Sequence, residues 1–156
     1  MRVLAIDPGY DRCGVAILER QSGKDTLLFS TCIETDRSTD FATRLTHVAD
    51  SVSDYIKEFN PTHVAIEKLY FTNNQKTAMG VSEVRGAIQY IAKSAHMVIR
   101  EFTPGEVKVA VTGAGNADKK QVIAMIGRLV RLEKPITHDD EYDAIGIGIT
   151  CLAHHR

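Results

Sequence analysis

The apolar positions of this chain follow two different periods. Val3, Leu4, Ala5 and Ile6 make an unbroken apolar run, which reads as a buried strand. "GVAILER", from Gly14, reads as a second strand and "DTLLFSTCIET", from Asp25, as a third. "RQSGKD" between them has the composition of a hairpin turn. The period then changes. Phe41, Leu45, Val48, Val52, Tyr55, Ile56 and Phe59 recur at threes and fours, one face of a helix. Ser38 and Thr39 are its N-cap candidates, and Asn60-Pro61 stops it.

"HVAIEKLYF" returns to the strand pattern. A long helix is expected over about residues 74–95, with Met79, Val84, Ile88, Ile91 and Ala95 inward. "MVIREF" reads as a further strand. Thr103-Pro104 supplies a cap and a first helical position for a short helix to about Val111. "TGAGNAD" breaks it, and a helix follows over about residues 117–132. The last helix starts near Thr137 or His138 and carries Ile145, Ile149 and Leu152.

Three strands joined by short turns, then alternating helix and strand, predict an α/β fold: a mixed five-stranded sheet flanked by helices. No repeat, linker or low-complexity segment interrupts the 156 residues, so one domain over 1–156 is expected. No run approaches the roughly 18 to 20 apolar residues of a membrane span. Asp7 and Asp11 interrupt any apolar core of a secretory signal. Cys13, Cys32 and Cys151 are far apart, odd in number and form no CxxC pair. They read as small buried hydrophobes in a reducing, cytoplasmic protein rather than as a disulfide or zinc framework.

The net charge of -1 predicts no polyanion partner, but its distribution does more. Residues 1–67 carry 7 Lys/Arg against 11 Asp/Glu. Residues 68–100 carry Lys68, Lys76, Arg85, Lys93 and Arg100 against Glu83 alone. A basic block thus follows an acidic stretch. It is either a solvated helix face or a surface for an anionic partner.

Two apolar runs end in an acid: Val3 to Ile6 runs into Asp7, and Val64 to Ile66 runs into Glu67. In open α/β sheets ligands collect at the carboxyl ends of parallel strands. Either acid alone would be a turn or cap residue; together, on adjacent parallel strands, they suggest a shared cation. "THDDEYDAIGIGI" adds more. On a helix Asp140 and Asp143 share a face, as do Asp139 and Asp143, while Glu141 points elsewhere and is expected in solvent. Gathered carboxylates repel one another unless cations neutralise them. Oxygen donors without cysteine or HExxH spacing favour Mg²⁺ or Mn²⁺ over zinc. Such a cluster can hold two ions about 4 Å apart for phosphodiester hydrolysis.

"IDPG", "AIEKLYF", "VRG" at Val84-Arg85-Gly86 and "DEYDAIGIGITC", in that order and spacing, resemble the RuvC-type Holliday junction resolvases over nearly the whole chain. The resemblance implies the ribonuclease-H-like fold, a homodimer, and Mg²⁺-dependent paired nicks across a four-way DNA junction. It implies Asp7, Glu67, Asp140 and Asp143 as catalytic acids, its DxxD spacing selecting Asp140 over Asp139. His138 is expected to be a solvated neighbour.

Tyr70 and Phe71 lie within four residues of Glu67. An aromatic beside a nuclease site can stack on an unpaired base, worth roughly 1–3 kcal/mol. By the resemblance Tyr70 takes the position of a family aromatic at the junction centre; strand alternation turns one of the pair inward. Lys119 and Lys120 open a helix, where the dipole disfavours cations, after the flexible Gly113 and Gly115. They are either solvated or part of an anion site. The resemblance places phosphate contacts at Lys108 and Lys119, with Lys120 beside them, and puts Arg85 near the dimer-forming helix, where no role is assigned to it. It leaves open a branch-migration motor as a further partner. Three readings compete: a small ribonuclease-H-like nuclease acting on RNA or other branched DNA, an actin-like ATPase or kinase-type phosphate-binding domain, and a junction-binding module without catalysis. The second needs two such domains; the third is disfavoured by the full set of acids.

Overall fold

The computed structural model describes residues 1–69 and 75–155, and at positions 75 and 76 the backbone alone. Among the described residues five strands and five helices follow in chain order: β1 (Arg2–Asp7), β2 (Arg12–Gln21), β3 (Lys24–Glu34), α1 (Phe41–Phe59), β4 (His63–Glu67), α2 (Gln75–Ser94), β5 (Val98–Phe102), α3 (Pro104–Thr112), α4 (Lys119–Leu129) and α5 (Asp139–Ala153). The strands form one mixed sheet in the order β3-β2-β1-β4-β5. The β1–β2 and β2–β3 pairs are antiparallel; β1–β4 and β4–β5 are parallel. Ser22 and Gly23, both at positive φ, make the hairpin turn between β2 and β3.

Strand alternation divides the core between the two faces. Leu4, Ile6, Val15 and Ile17 pack with α1 and α2. Val3, Ala5, Ala16, Leu18 and Ala65 pack with α3, α4 and α5. Asp7 continues the Val3–Ala5 face and Glu67 continues the Ala65 face, so both acids turn to the α5 side. Helix α5 lies close against the sheet because Gly148 faces it. A methyl group there would come within 2.2 Å of Leu18 Cδ1.

Several local expectations change. The N-cap of α1 is Asp40, whose carboxylate accepts from Thr43 N, rather than Ser38 or Thr39; those two residues bond to Asp36 instead. Asn60 closes that helix in the left-handed conformation. In α2 the buried positions among the described side chains are Ala78, Gly80, Val84, Ile88 and Ala92, while Met79 is 66% exposed and Ala95, just past the helix, is also exposed. Met79 lies five residues before Val84, about 140° around the helix, and so off the buried face. Strand β4 ends at Glu67. Helix α4 is shorter than expected at both ends, beginning after the Asp118 cap. Thr103 and Glu106 form a capping box at α3, with Pro104 as its first residue. Cys13 and Cys151 are buried and no cysteine is bonded to another. Among the described residues no helix is long and apolar enough to cross a membrane.

Candidate active site

The parallel pairing of β1 and β4 matches Leu4 with Val64, Ala5 with Ala65 and Ile6 with Ile66. One residue further, Asp7 and Glu67 leave the same sheet edge side by side. On the other flank Asp7 pairs with Gly14 of β2. The backbone of Asp140 sits directly on Gly14, so that a methyl group there would lie 1.8 Å from the Asp140 carbonyl oxygen. This contact brings the first turn of α5 over the end of β1. The sequence carried a signal for it: a glycine inside an otherwise apolar strand marks a close backbone approach.

The electrostatics report the crowding. Burial pushes the Asp7 carboxyl up to about 8, with the charges of Glu67, Asp143 and Asp140 adding to it and Lys119 opposing it. Burial likewise raises Glu67, helped by Asp143. Burial raises Asp143 too, against the hydrogen bond and charge of Lys119. A cleft of about 200 Å³ opens beside them, lined by Glu67, Asp143, Lys108 and Lys119 over an apolar floor that includes Val107 and Ile147.

Lys119 Nζ donates to both carboxylate oxygens of Asp143. Its place in the first turn of α4, unfavourable to a cation, is offset by this pairing and by the Asp118 cap, which accepts from Gln121 N. The start of α4 is therefore closed by the chain's own carboxylate. Lys120 is exposed. Arg85, from the basic block, is drawn into an ion pair with Glu101, so the block is not one free cationic face. Tyr70 and Phe71 lie outside the described residues.

Asp140 Oδ2 lies 3.1 Å from Arg12 Nε, yet makes no hydrogen bond: the ion pair is close but the N–H does not point along it. Asp139 is exposed, and Asp7 feels Asp140 rather than Asp139. His138 is not a solvated bystander. Its Nε2 is 3.1 Å from Glu34 Oε1 and its Nδ1 is 3.4 Å from Arg12 Nη1. Glu141 is not in solvent either: it is buried, with Ser30 donating to it at 2.6 Å. Helical geometry turned Glu141 away from Asp140 and Asp143 correctly; the edge strand that covers it there has no local signature.

The donor set suits a hard divalent cation. It is all oxygen, partly desolvated, mutually repelling, and retains an acceptor on Asp140 without a hydrogen bond. Among the described residues no three such side chains converge into a ready-made metal cage. Lys119 supplies the positive charge at Asp143.

A family model described as Crossover junction endodeoxyribonuclease RuvC matches residues 3–151. The chain belongs to the RuvC family. Proteins named Crossover junction endodeoxyribonuclease RuvC include one from Salinispora arenicola, 39% identical over 96% of this chain and 86% of its own length. Another, from Petrotoga mobilis, is 37% identical over 100% of this chain and 95% of its own. Among solved structures, RuvC of T. thermophilus in complex with a Holliday junction substrate is 26% identical, with a TM-score of 0.93 over 100% of this chain and 95% of that one. The yeast mitochondrial Holliday junction resolvase Ydc2 shares the fold, with 13% identity and a TM-score of 0.74 over 97% of this chain and 79% of that one. The mixed five-stranded sheet flanked by helices is thus the ribonuclease-H-like resolvase fold that the RuvC resemblance implied.

Proposed function

We propose that this protein is a structure-selective endonuclease that resolves four-way DNA junctions by paired, metal-dependent phosphodiester hydrolysis, acting as a cytoplasmic homodimer with residues 1–156 as one nuclease domain. The observation that carries the reading is the gathering of Asp7, Glu67, Asp140 and Asp143 at one sheet edge, beside a cleft lined by Lys108 and Lys119. A phosphate-binding kinase domain has no use for four such acids, and a passive binding module would not retain their repulsion.

Asp7, Glu67, Asp140 and Asp143 would hold the divalent cation, Mg²⁺ with Mn²⁺ as a substitute, and two ions per site. Held by these residues, such a cation would supply charge neutralisation of the carboxylates, activation of the attacking water and stabilisation of the leaving oxygen. The chain's own residues do the rest. Asp7 keeps a proton near neutral pH without a cation and gives it up as one loads, which couples loading to pH. The start of α5 adds the positive end of its dipole at the carboxylates. Lys108, Lys119 and Lys120 meet DNA phosphates, and Lys119 exchanges Asp143 for phosphate when the junction arrives. Tyr70 or Phe71 stacks on a base at the junction centre. A branch-migration motor would feed such an enzyme its substrate.

The test is incubation with a synthetic four-way junction, with Mg²⁺ and then with chelator. Symmetric nicks only with the metal are expected. Asp7→Asn should abolish nicking and leave junction binding intact. Nicking of RNA or of other branches in preference to the four-way junction would reassign the substrate, and ATP hydrolysis without nicking would overturn the reading.

A further inference from the structure

Glu141 is an acid for which the proposed chemistry has no use, and it is 3% exposed. Its Oε1 accepts from Ser30 Oγ at 2.6 Å and lies 3.2 Å from Lys134 Nζ. Ser30 reaches it through an irregularity in the sheet. The β2–β3 ladder pairs Ile17 with Phe29 but Leu18 with Leu27, leaving Leu28 as an extra, bulged residue. Ala16 and Leu18 face α5, so their partners Ser30 and Leu27 face it as well, although they stand three positions apart. In a regular strand of period two, only one of that pair could do so. The bulge therefore delivers a hydroxyl to a buried carboxylate. Each would be costly to bury alone.

The position of this bond decides what it does. Glu141 follows Asp140 and precedes Asp143 by two residues. The N-cap of α5, His138, makes no side-chain cap bond, so the first turn lacks the usual local clamp. That turn is held from outside instead, by Ser30 of the edge strand and Lys134 of the loop after α4. The Arg12 contact to Asp140 touches the same turn, but the Arg12 side chain is 47% exposed. The enclosed bond to Ser30 is the firmer restraint.

We infer that Glu141 is a positioning residue: through Ser30 and Lys134 it fixes the first turn of α5, and so the direction in which Asp140 and Asp143 meet a divalent cation. The inference rests on the proposed function above. Residues that orient ligands from behind are worth about 10–100-fold in metal affinity or activity.

Glu141→Ala, Glu141→Gln and Ser30→Ala test it with three readouts: Mn²⁺ affinity of the protein alone, from the spin-resonance signal of free ion; the Mg²⁺ concentration for half-maximal junction cleavage; and junction affinity in chelator. Glu141→Ala and Ser30→Ala should weaken Mn²⁺ binding and raise the Mg²⁺ requirement by about 10–100-fold, with junction affinity in chelator unchanged. Glu141→Gln, whose amide oxygen still accepts from Ser30, should recover most of the loss. A fall in melting temperature with unchanged ion dependence overturns the inference, as does a glutamine variant no better than alanine. Ser30→Ala removes one hydroxyl, so it decides the matter if Glu141→Ala does not fold. If the parent protein fails to cleave the junction, the proposed function fails, and the Mn²⁺ affinities still decide the role of Glu141.

Discussion

Gly14 and Asp140 are in backbone contact: a Cβ on Gly14 would lie 1.8 Å from the Asp140 carbonyl oxygen and 2.4 Å from its carbon. Both are backbone atoms of a helix, so no side chain can rotate to make room. Gly14→Ala should therefore lift the start of α5 off β2. We expect a stability loss of about 1–3 kcal/mol and a larger loss of junction cleavage, with junction binding in chelator nearly intact. Cleavage and stability falling only in proportion would mean that Gly14 serves packing alone.

Lys119 stands between two anions, the Asp143 carboxylate it holds here and the phosphates it would meet on DNA. Lys119→Ala should weaken junction binding in chelator and reduce the slope of log affinity against log salt by about 0.9, one duplex phosphate contact. Fluorescence anisotropy across a salt series reads this directly. An unchanged slope would leave Lys119 with the carboxylate and remove it from the DNA contacts.

Asp7 gives a pH signature. Its ordinary value of 3.8 is raised to about 8 in the fold, first by burial and then by its acidic neighbours. Between those values the folded state binds a proton that the unfolded chain has released. The stability from this group is thus full at low pH and drains as pH rises towards 8, by at most about 1.4 kcal/mol per pH unit. Asp7→Asn carries no such burden. Without metal it should melt above the parent by a margin that widens with pH across this range and shrinks when the parent is given Mg²⁺. A margin independent of pH would mean that the cost of Asp7 is not its ionisation.

Much of this was legible in the chain. Unbroken apolar runs ending in Asp7 and Glu67 announced two buried strands, and the parallel register carried both acids to one edge. The spacing of Asp140 and Asp143 gave their common face on α5. Long-range contacts were not legible. Glu141 looked solvated because nothing nearby in sequence covers it; Ser30, 111 positions away, does so. His138 looked solvated for the same reason, its partners being Arg12 of β2 and Glu34 of β3. The start of α1 was misread by one or two residues because three capping types stand in a row, and only the chain direction after Asp36 makes Asp40 the cap.

The cap of α4 is another exposed element with a definite value. Asp118 and Gln121 bond reciprocally across the first turn. Asp118→Ala should cost about 0.5–2 kcal/mol in chemical denaturation. It should also loosen Lys119, the next residue, and so lower cleavage more than Gln121→Ala does. Equal effects of the two substitutions would confine Asp118 to stability.

The order of the elements along the chain has a consequence for synthesis. The sheet edge with Asp7 and Glu67 needs only β1, β2 and β4, whereas Asp140 and Asp143 belong to α5, which leaves the ribosome after them all. A nascent chain can build much of the sheet as it emerges, yet it holds half of the proposed acids until α5 docks. On the proposed function, the nascent chain thus cannot cut DNA before α5 has emerged and docked.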